Sequence, residues 1–190
     1  MLGSGEQHVI IGHYRVATSN DVEAIVALVE VAYRSESSSE GWTTESRLVG
    51  GSRTSIAEIT DAVHRPDSCM LVGEITDVIV SCCRLTMISA ETVHFGLFCV
   101  DPLRQSNGLG RELLNRAMIE ARLRFGATRV TLYVIAQRDE LRQWYEHLGF
   151  TPTGEHLPFS HEADPALVLV PEIEFIVYER TIDLAQSPLD

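Results

Sequence analysis

An apolar run from Thr92 to Val100 breaks at Asp101-Pro102, and two glycines, Gly108 and Gly110, then lead into a helical stripe. A strand, a glycine turn and a helix in that order restrict the chain more than any other stretch. The first helical turn presents backbone N–H groups with no partner inside the helix, and the helix dipole adds positive charge there. Glycine lets a ligand approach such a turn closely, so the segment has the form of an anion cradle. Arg111, placed against the dipole, is tolerated best if an anion sits nearby. The stretch Gln105-Ser106-Asn107-Gly108-Leu109-Gly110 reads QxxGxG. It is not GxxxxGK[ST], and a GxGxxG reading would need glycine where Leu113 stands. These letters alone leave a tight connection and a phosphate site about equally open.

The surrounding pattern supplies the rest of the fold class. His13–Thr18 reads as a strand, and Thr18 and Asp21 have capping-box spacing before a helix over 20–34. A short helix is expected around 44–49, and a second begins at Ser55, where Ser55 and Glu58 form another box, and ends at Pro66. Two strands should meet in a hairpin at Thr76–Asp77, followed by the strand over 92–100. A helix over 109–125 is closed by Gly126, a strand spans 129–135, a helical face runs from Leu141 to Leu148, and the last strand covers 173–182. The segment 154–172 reads as irregular. The class is α/β or α+β with a mixed sheet, and 92–100, 109–125 and 129–135 form one βαβ crossover.

At 190 residues the chain fits a single domain over 1–190, with its core in about 13–182 and the ends expected to be flexible. With 27 acidic and 15 basic residues its formal charge is −12, which argues against a nucleic-acid partner. No apolar run suits a membrane span and no signal peptide is legible, so a cytoplasmic protein is expected. The four cysteines, Cys69, Cys82, Cys83 and Cys99, lack ligand spacing; they read as buried thiols, and no metal is expected.

Thirty-four residues after Gly110 comes Trp144-Tyr145-Glu146-His147-Leu148-Gly149-Phe150. QxxGxG after a strand, then helix, strand and a helix ending Tyr-x-x-x-Gly-Phe, resembles the GNAT superfamily of acyl-CoA-dependent N-acetyltransferases, most sharply from Phe95 to Phe150. The resemblance implies a mostly antiparallel mixed sheet flanked by helices and splayed between 92–100 and 129–135, with acetyl-CoA in the gap. It implies that Gln105, Ser106, Asn107, Gly108, Leu109, Gly110 and Arg111 wrap the pyrophosphate, chiefly through backbone N–H groups, with the Leu109 side chain under the helix. It further implies that Phe98, Cys99 and Val100 offer backbone groups to the pantetheine arm. Tyr145 stands where the family often has its general acid, and the Val100 N–H is the expected oxyanion donor. Arg138 stands where many members have asparagine, seven residues before this tyrosine; it could reach a phosphate or pair with Asp139 or Glu140, while Gln137 could replace the amide.

The expected reaction is direct acetyl transfer to a primary amine of a small molecule or peptide. The alternatives are a non-catalytic acyl-CoA sensor and a nucleotide-phosphate binder. Glu45, His94, His156, Glu172 and Glu174 are the candidate bases. The acceptor site is expected from 41–54 and 154–159, with Trp42, Glu45 and Arg47 as substrate residues; Arg47 and Arg53 suit a carboxylate and Glu45 an ammonium. A homodimer is compatible with the sequence, and neither nucleic acid nor membrane is expected as a partner.

Overall fold

A computed structural model describes residues 13–34, 45–105, 107–159, 165–170 and 172–182. Its strands are β1 (His13–Val16), β2 (Ser68–Ile75), β3 (Val78–Met87), β4 (Thr92–Val100), β5 (Arg129–Ile135), β6 (Thr151–Pro158) and β7 (Glu174–Thr181). Its helices are α1 (Val22–Arg34), α2 (Ile56–His64), α3 (Leu109–Phe125) and α4 (Asp139–His147). The strands form one sheet in the order β1-β2-β3-β4-β5-β7-β6. Every neighbouring pair is antiparallel except β4 and β5, the two strands joined through α3.

Local chemistry explains most boundaries. Thr76 and Asp77 both have positive φ, the two-residue turn that suits a twisted hairpin. The Ser55 hydroxyl accepts the Glu58 N–H at 3.2 Å and starts α2. Gly126 sits at φ 67 and stops α3. The Asp21 carboxylate accepts the Thr18 N–H at 2.7 Å and takes two guanidinium N–H groups of Arg15, which also pairs with Glu74. The start of α1 is thereby tied to β1 and β2.

Two apolar layers enclose the sheet. Ile25 and Val29 of α1 and Ile59 of α2 pack on Met70, Val72 and Cys82. Leu113, Leu114 and Ala117 of α3 pack on Leu71, Cys83 and Leu85 on the other face. Alternation along β3 therefore sends the adjacent Cys82 and Cys83 to opposite layers.

β4 breaks its own alternation. Val93 and Phe95 lie in the α3 layer, but so do Phe98 and Val100, while Leu97 and Cys99 lie in the α1 layer. The register confirms one extra residue: Arg84 faces Gly96, whereas Cys82 faces Cys99. Leu97 absorbs it at φ 45, a β-bulge held by a leucine in the left-handed region. Beyond the bulge β4 leaves β5. Their pairing consists of Thr92 with Arg129, Val93 with Val130 and His94 with Thr131, while Leu132–Ile135 continue only with β7. This is the expected splay.

Three sequence expectations change. The helix expected at 44–49 is a turn whose Val49 bridges Val168. Residues 151–158 form β6 at the sheet edge, where Pro152 and Pro158 are tolerated because an edge strand need not donate on both sides. The β1 strand ends at Val16, short of Thr18.

Candidate active site

The splay opens a cavity of about 450 Å³ between Phe95–Phe98 of β4 and Leu132–Ile135 of β5. Tyr33 and Arg34 from the end of α1 line it, as do Arg53, Arg138 and Tyr145. Val49, Ile135, Phe159 and Phe175 make a small apolar cluster at its far side. A second cavity of about 470 Å³ lies at the glycine turn, bounded by Val100, Gln105, Gly108–Arg111 and Trp144. Leu141 belongs to both walls, so the two spaces adjoin along α4.

The turn has the geometry its sequence suggested. Gly108 caps α3 at φ 80, and a Cβ there would meet nothing within 4 Å. The requirement for glycine is thus torsional. Leu109 is buried in the α3 layer, while Asn107 and Arg111 are exposed. The Gln105 amide donates to the Val100 carbonyl at 3.2 Å and the Asn107 amide to the Arg104 carbonyl at 3.3 Å. Ser106 lies outside the described residues. Backbone donors at a helix start, open space above Gly108 and a nearby guanidinium suit a pyrophosphate.

The edge of β4 is equally informative. Asp101 donates to the Val80 carbonyl at 2.8 Å. Strict alternation of an antiparallel ladder then makes Ser81–Val100 a pair without mutual hydrogen bonds. The Val100 N–H and C=O consequently face the side β5 has vacated, and Gln105 reaches that carbonyl from there. Cys99 is fully buried against Cys82, with the sulfurs 3.5 Å apart. The Phe98 carbonyl accepts the Tyr33 hydroxyl at 2.7 Å, which pins the bulge to α1.

Tyr145 is buried among Phe98, Trp144 and Phe150, edge-on to the last two. Its hydroxyl has no hydrogen-bond partner among the described residues, and the residue lines the larger cavity. Burial pushes the phenol up, and the Arg138 guanidinium pulls it the other way. The group stays protonated through the ordinary pH range.

Arg138 does not pair with Asp139, which is taken by Arg142 at 2.9 Å. It faces Glu45 at 3.9 Å across the larger cavity. Arg34 approaches the same carboxylate at 3.4 Å and Arg53 at 3.9 Å. Arg53 also lies 5.1 Å over the Tyr33 ring. The Gln137 amide donates to the Glu172 carbonyl at 3.1 Å.

Arg47 is exposed and away from the cavity lining, and Trp42 lies outside the described residues. Of the candidate bases, His94 and Glu45 line the cavity; His156 and Glu174 pair with each other on the outer strands at 2.8 Å, and Glu172 lies outside the lining. Sequence reasoning did not find Tyr33, Arg34 or Glu58 in the lining. Their one sequence signal is position, at helix ends flanking a polar loop. Among the described residues no group of His, Cys, Asp or Glu could hold a metal ion, and no helix is long and apolar enough to cross a membrane.

Comparison with known proteins agrees with this geometry. The model of the acetyltransferase (GNAT) family matches residues 25–150. The mycothiol acetyltransferase of Beutenbergia cavernae is 41% identical over 76 residues, which are 40% of this chain and 25% of that protein. The chain thus matches about a quarter of that relative's length. The ribosomal-protein-S18-alanine N-acetyltransferase of Escherichia coli superposes with a TM-score of 0.65 at 17% identity, covering 94% of this chain and 98% of that one. The protein yncA of Salmonella typhimurium, solved with its cofactor acetyl-CoA, superposes with a TM-score of 0.62 at 21% identity, covering 93% and 96%.

Proposed function

The chain belongs to the acetyltransferase (GNAT) family, and from that premise we propose which acceptor and which residues serve acetyl transfer from acetyl-CoA. The acceptor is a primary amine of a small molecule or peptide, attacking directly. The observation that carries this reading is the adjacency of the two cavities: the space at the glycine turn shares the Leu141 wall with the space between the parted strands that Tyr145 lines.

Acetyl-CoA supplies an activated acetyl thioester. Its diphosphate is held by Gln105–Arg111 and its pantetheine arm by the backbone of Phe98–Val100. Val100 offers its N–H to the carbonyl oxygen as negative charge develops there, a fixed donor in a low-dielectric site. Tyr145 donates its phenolic proton to the departing sulfur, and the proton that the acceptor nitrogen gives up restores the phenol through water; Arg138 favours the donation by stabilising the phenolate. Free thiols have a pKa of about 8.5, so the sulfur needs only modest help.

The test is release of CoA thiol across amines, aminoglycosides, polyamines and peptide N-termini, with wild type and Tyr145→Phe. General-acid help is worth on the order of 10² or more. The variant should lose about that factor in kcat and keep its affinity for acetyl-CoA. Unchanged turnover would remove Tyr145 from the mechanism. Binding of acetyl-CoA with no acceptor used would favour a sensor, and preference for ATP or NAD over CoA would overturn the cofactor placement.

A further inference from the structure

Resting on the acetyltransferase reading, we propose that the acceptor is a primary amine on a short chain ending in an aromatic ring, with that ring seated on a row of rings in the larger cavity. The sheet builds the row on one face. Thr131, Tyr133 and Ile135 share a side of β5 by alternation, while Val130, Leu132 and Val134 lie in the α3 layer. Register sets His94 of β4 beside Thr131, and Phe175 of β7 beside Ile135. His94, Tyr133, Phe175 and Phe159 then follow one another across the strands. Successive ring centroids are 4.2, 6.3 and 5.4 Å apart, with interplanar angles of 37°, 41° and 24°. All four line the cavity, and Tyr133 is only half-buried.

The two halves of this face are covered differently. Under α1 and α2, Ile25, Val29 and Ile59 pack on Met70, Val72 and Cys82. Across β5 and β7 the cover is the turn carrying Val49, which bridges Val168 and packs with Ile135, Phe159 and Phe175. The cavity of about 450 Å³ extends to this second half. Its ionic groups are engaged among themselves: Arg34, Arg53 and Arg138 face Glu45, and Glu58 accepts from the hydroxyls of Thr54 and Ser55. The body of an acceptor therefore gains most by burying apolar surface, and a flat ring beside other rings gains contact beyond its area. Phe98 and Tyr145 border the same cavity, so a ring on the row extends its amine toward the thioester. A polyamine has no apolar body to place there, and an aminoglycoside would press hydroxyls against rings that cannot pair with them.

The experiment compares phenethylamine with propylamine, 2-cyclohexylethylamine and spermidine. CoA release reports turnover. Calorimetry of the N-acetyl derivatives, on protein saturated with CoA, reports recognition without requiring turnover. Phenethylamine should exceed propylamine by about tenfold or more, the worth of burying an aromatic side chain. It should exceed 2-cyclohexylethylamine by about twofold or more, the worth of a ring pair beyond its area. Phe175→Leu keeps an apolar side chain and removes a ring from the row; it should bring the second ratio toward one while a preference over propylamine persists. Phe159→Leu provides the same comparison if the first variant folds poorly, and the wild-type order stands without any variant.

Phenethylamine no better than propylamine or 2-cyclohexylethylamine in turnover and binding, or a better result with spermidine, would overturn the inference and leave acetyl transfer intact. If no amine releases CoA, the family mechanism is in question while the calorimetric order still decides ring recognition.

Discussion

Replacing Gly108 separates torsion from contact at the cradle. The residue sits at φ 80 and ψ −6, with nothing within 4 Å of where a Cβ would lie. A substitution there meets no steric wall, so its cost is conformational. Placing an L-residue in the left-handed region costs about 1–2 kcal/mol, more for β-branched valine and less for asparagine, which visits that region readily. For a chain of 190 residues, each 1 kcal/mol lowers Tm by about 2–4 °C. Gly108→Val should therefore melt about 4 °C or more below wild type, Gly108→Ala about 2–4 °C below, and Gly108→Asn closest to wild type. Chains that escape the strain by refolding the turn lose the alignment of the first N–H groups of α3. The affinity for acetyl-CoA should then follow the same order, with about a tenfold loss for valine if 1.4 kcal/mol of strain must be restored on binding. Differential scanning calorimetry and isothermal titration measure the two effects independently. Equal affinity and Tm for the valine and asparagine variants would refute the torsional argument and the cradle built on it.

Two further outcomes follow from burial and charge. The Arg15 guanidinium beside Asp21 holds its carboxyl well below the usual carboxylate range; a lowered carboxylate contributes stability above its ordinary pKa of about 4 and loses it as pH falls toward the folded value. Asp21→Asn should cost about 1–3 kcal/mol at pH 7, and denaturant titrations should show the gap to wild type shrinking below pH 4; a gap that is constant with pH would contradict this. All four cysteines are buried; burial pushes the Cys69 thiol up to about 11, the contact with Cys99 and burial hold the Cys82 thiol well above the ordinary thiol range, and burial does the same for Cys83. Native protein at pH 7.5 should resist iodoacetamide by mass spectrometry and take four labels when unfolded; rapid native labelling would show that the layers open.

The long amphipathic helices and the apolar strands were legible because each rests on periodicity and a local cap. α3 begins at Leu109 and ends at Phe125 as its stripe and Gly126 imply. β6 was not legible: Pro152, Gly154 and Pro158 carry turn chemistry, and the strand survives because it borders β7 on one side alone. The bulge left no trace in the letters either, since a leucine at φ 45 is selected by the two packed layers and not by its own preference. The motif residues of the cradle are contiguous, so spacing revealed them. The arginine cluster is assembled from positions 34, 45, 53 and 138, brought together by tertiary folding.

The bulge at Leu97 makes β4 behave like two reading frames spliced at one codon's width. Upstream, odd positions belong to the α3 layer; downstream, even positions do. Remove Leu97 and the two frames merge into one: Phe98 would follow Gly96 and face Cys83, while Cys82–Cys99 and Ser81–Val100 keep their pairing, and β4 would lose the local bend and added twist that a bulge imposes. The two strands part after His94 and Thr131, and the bend that carries β4 onward from there is the work of a single inserted residue.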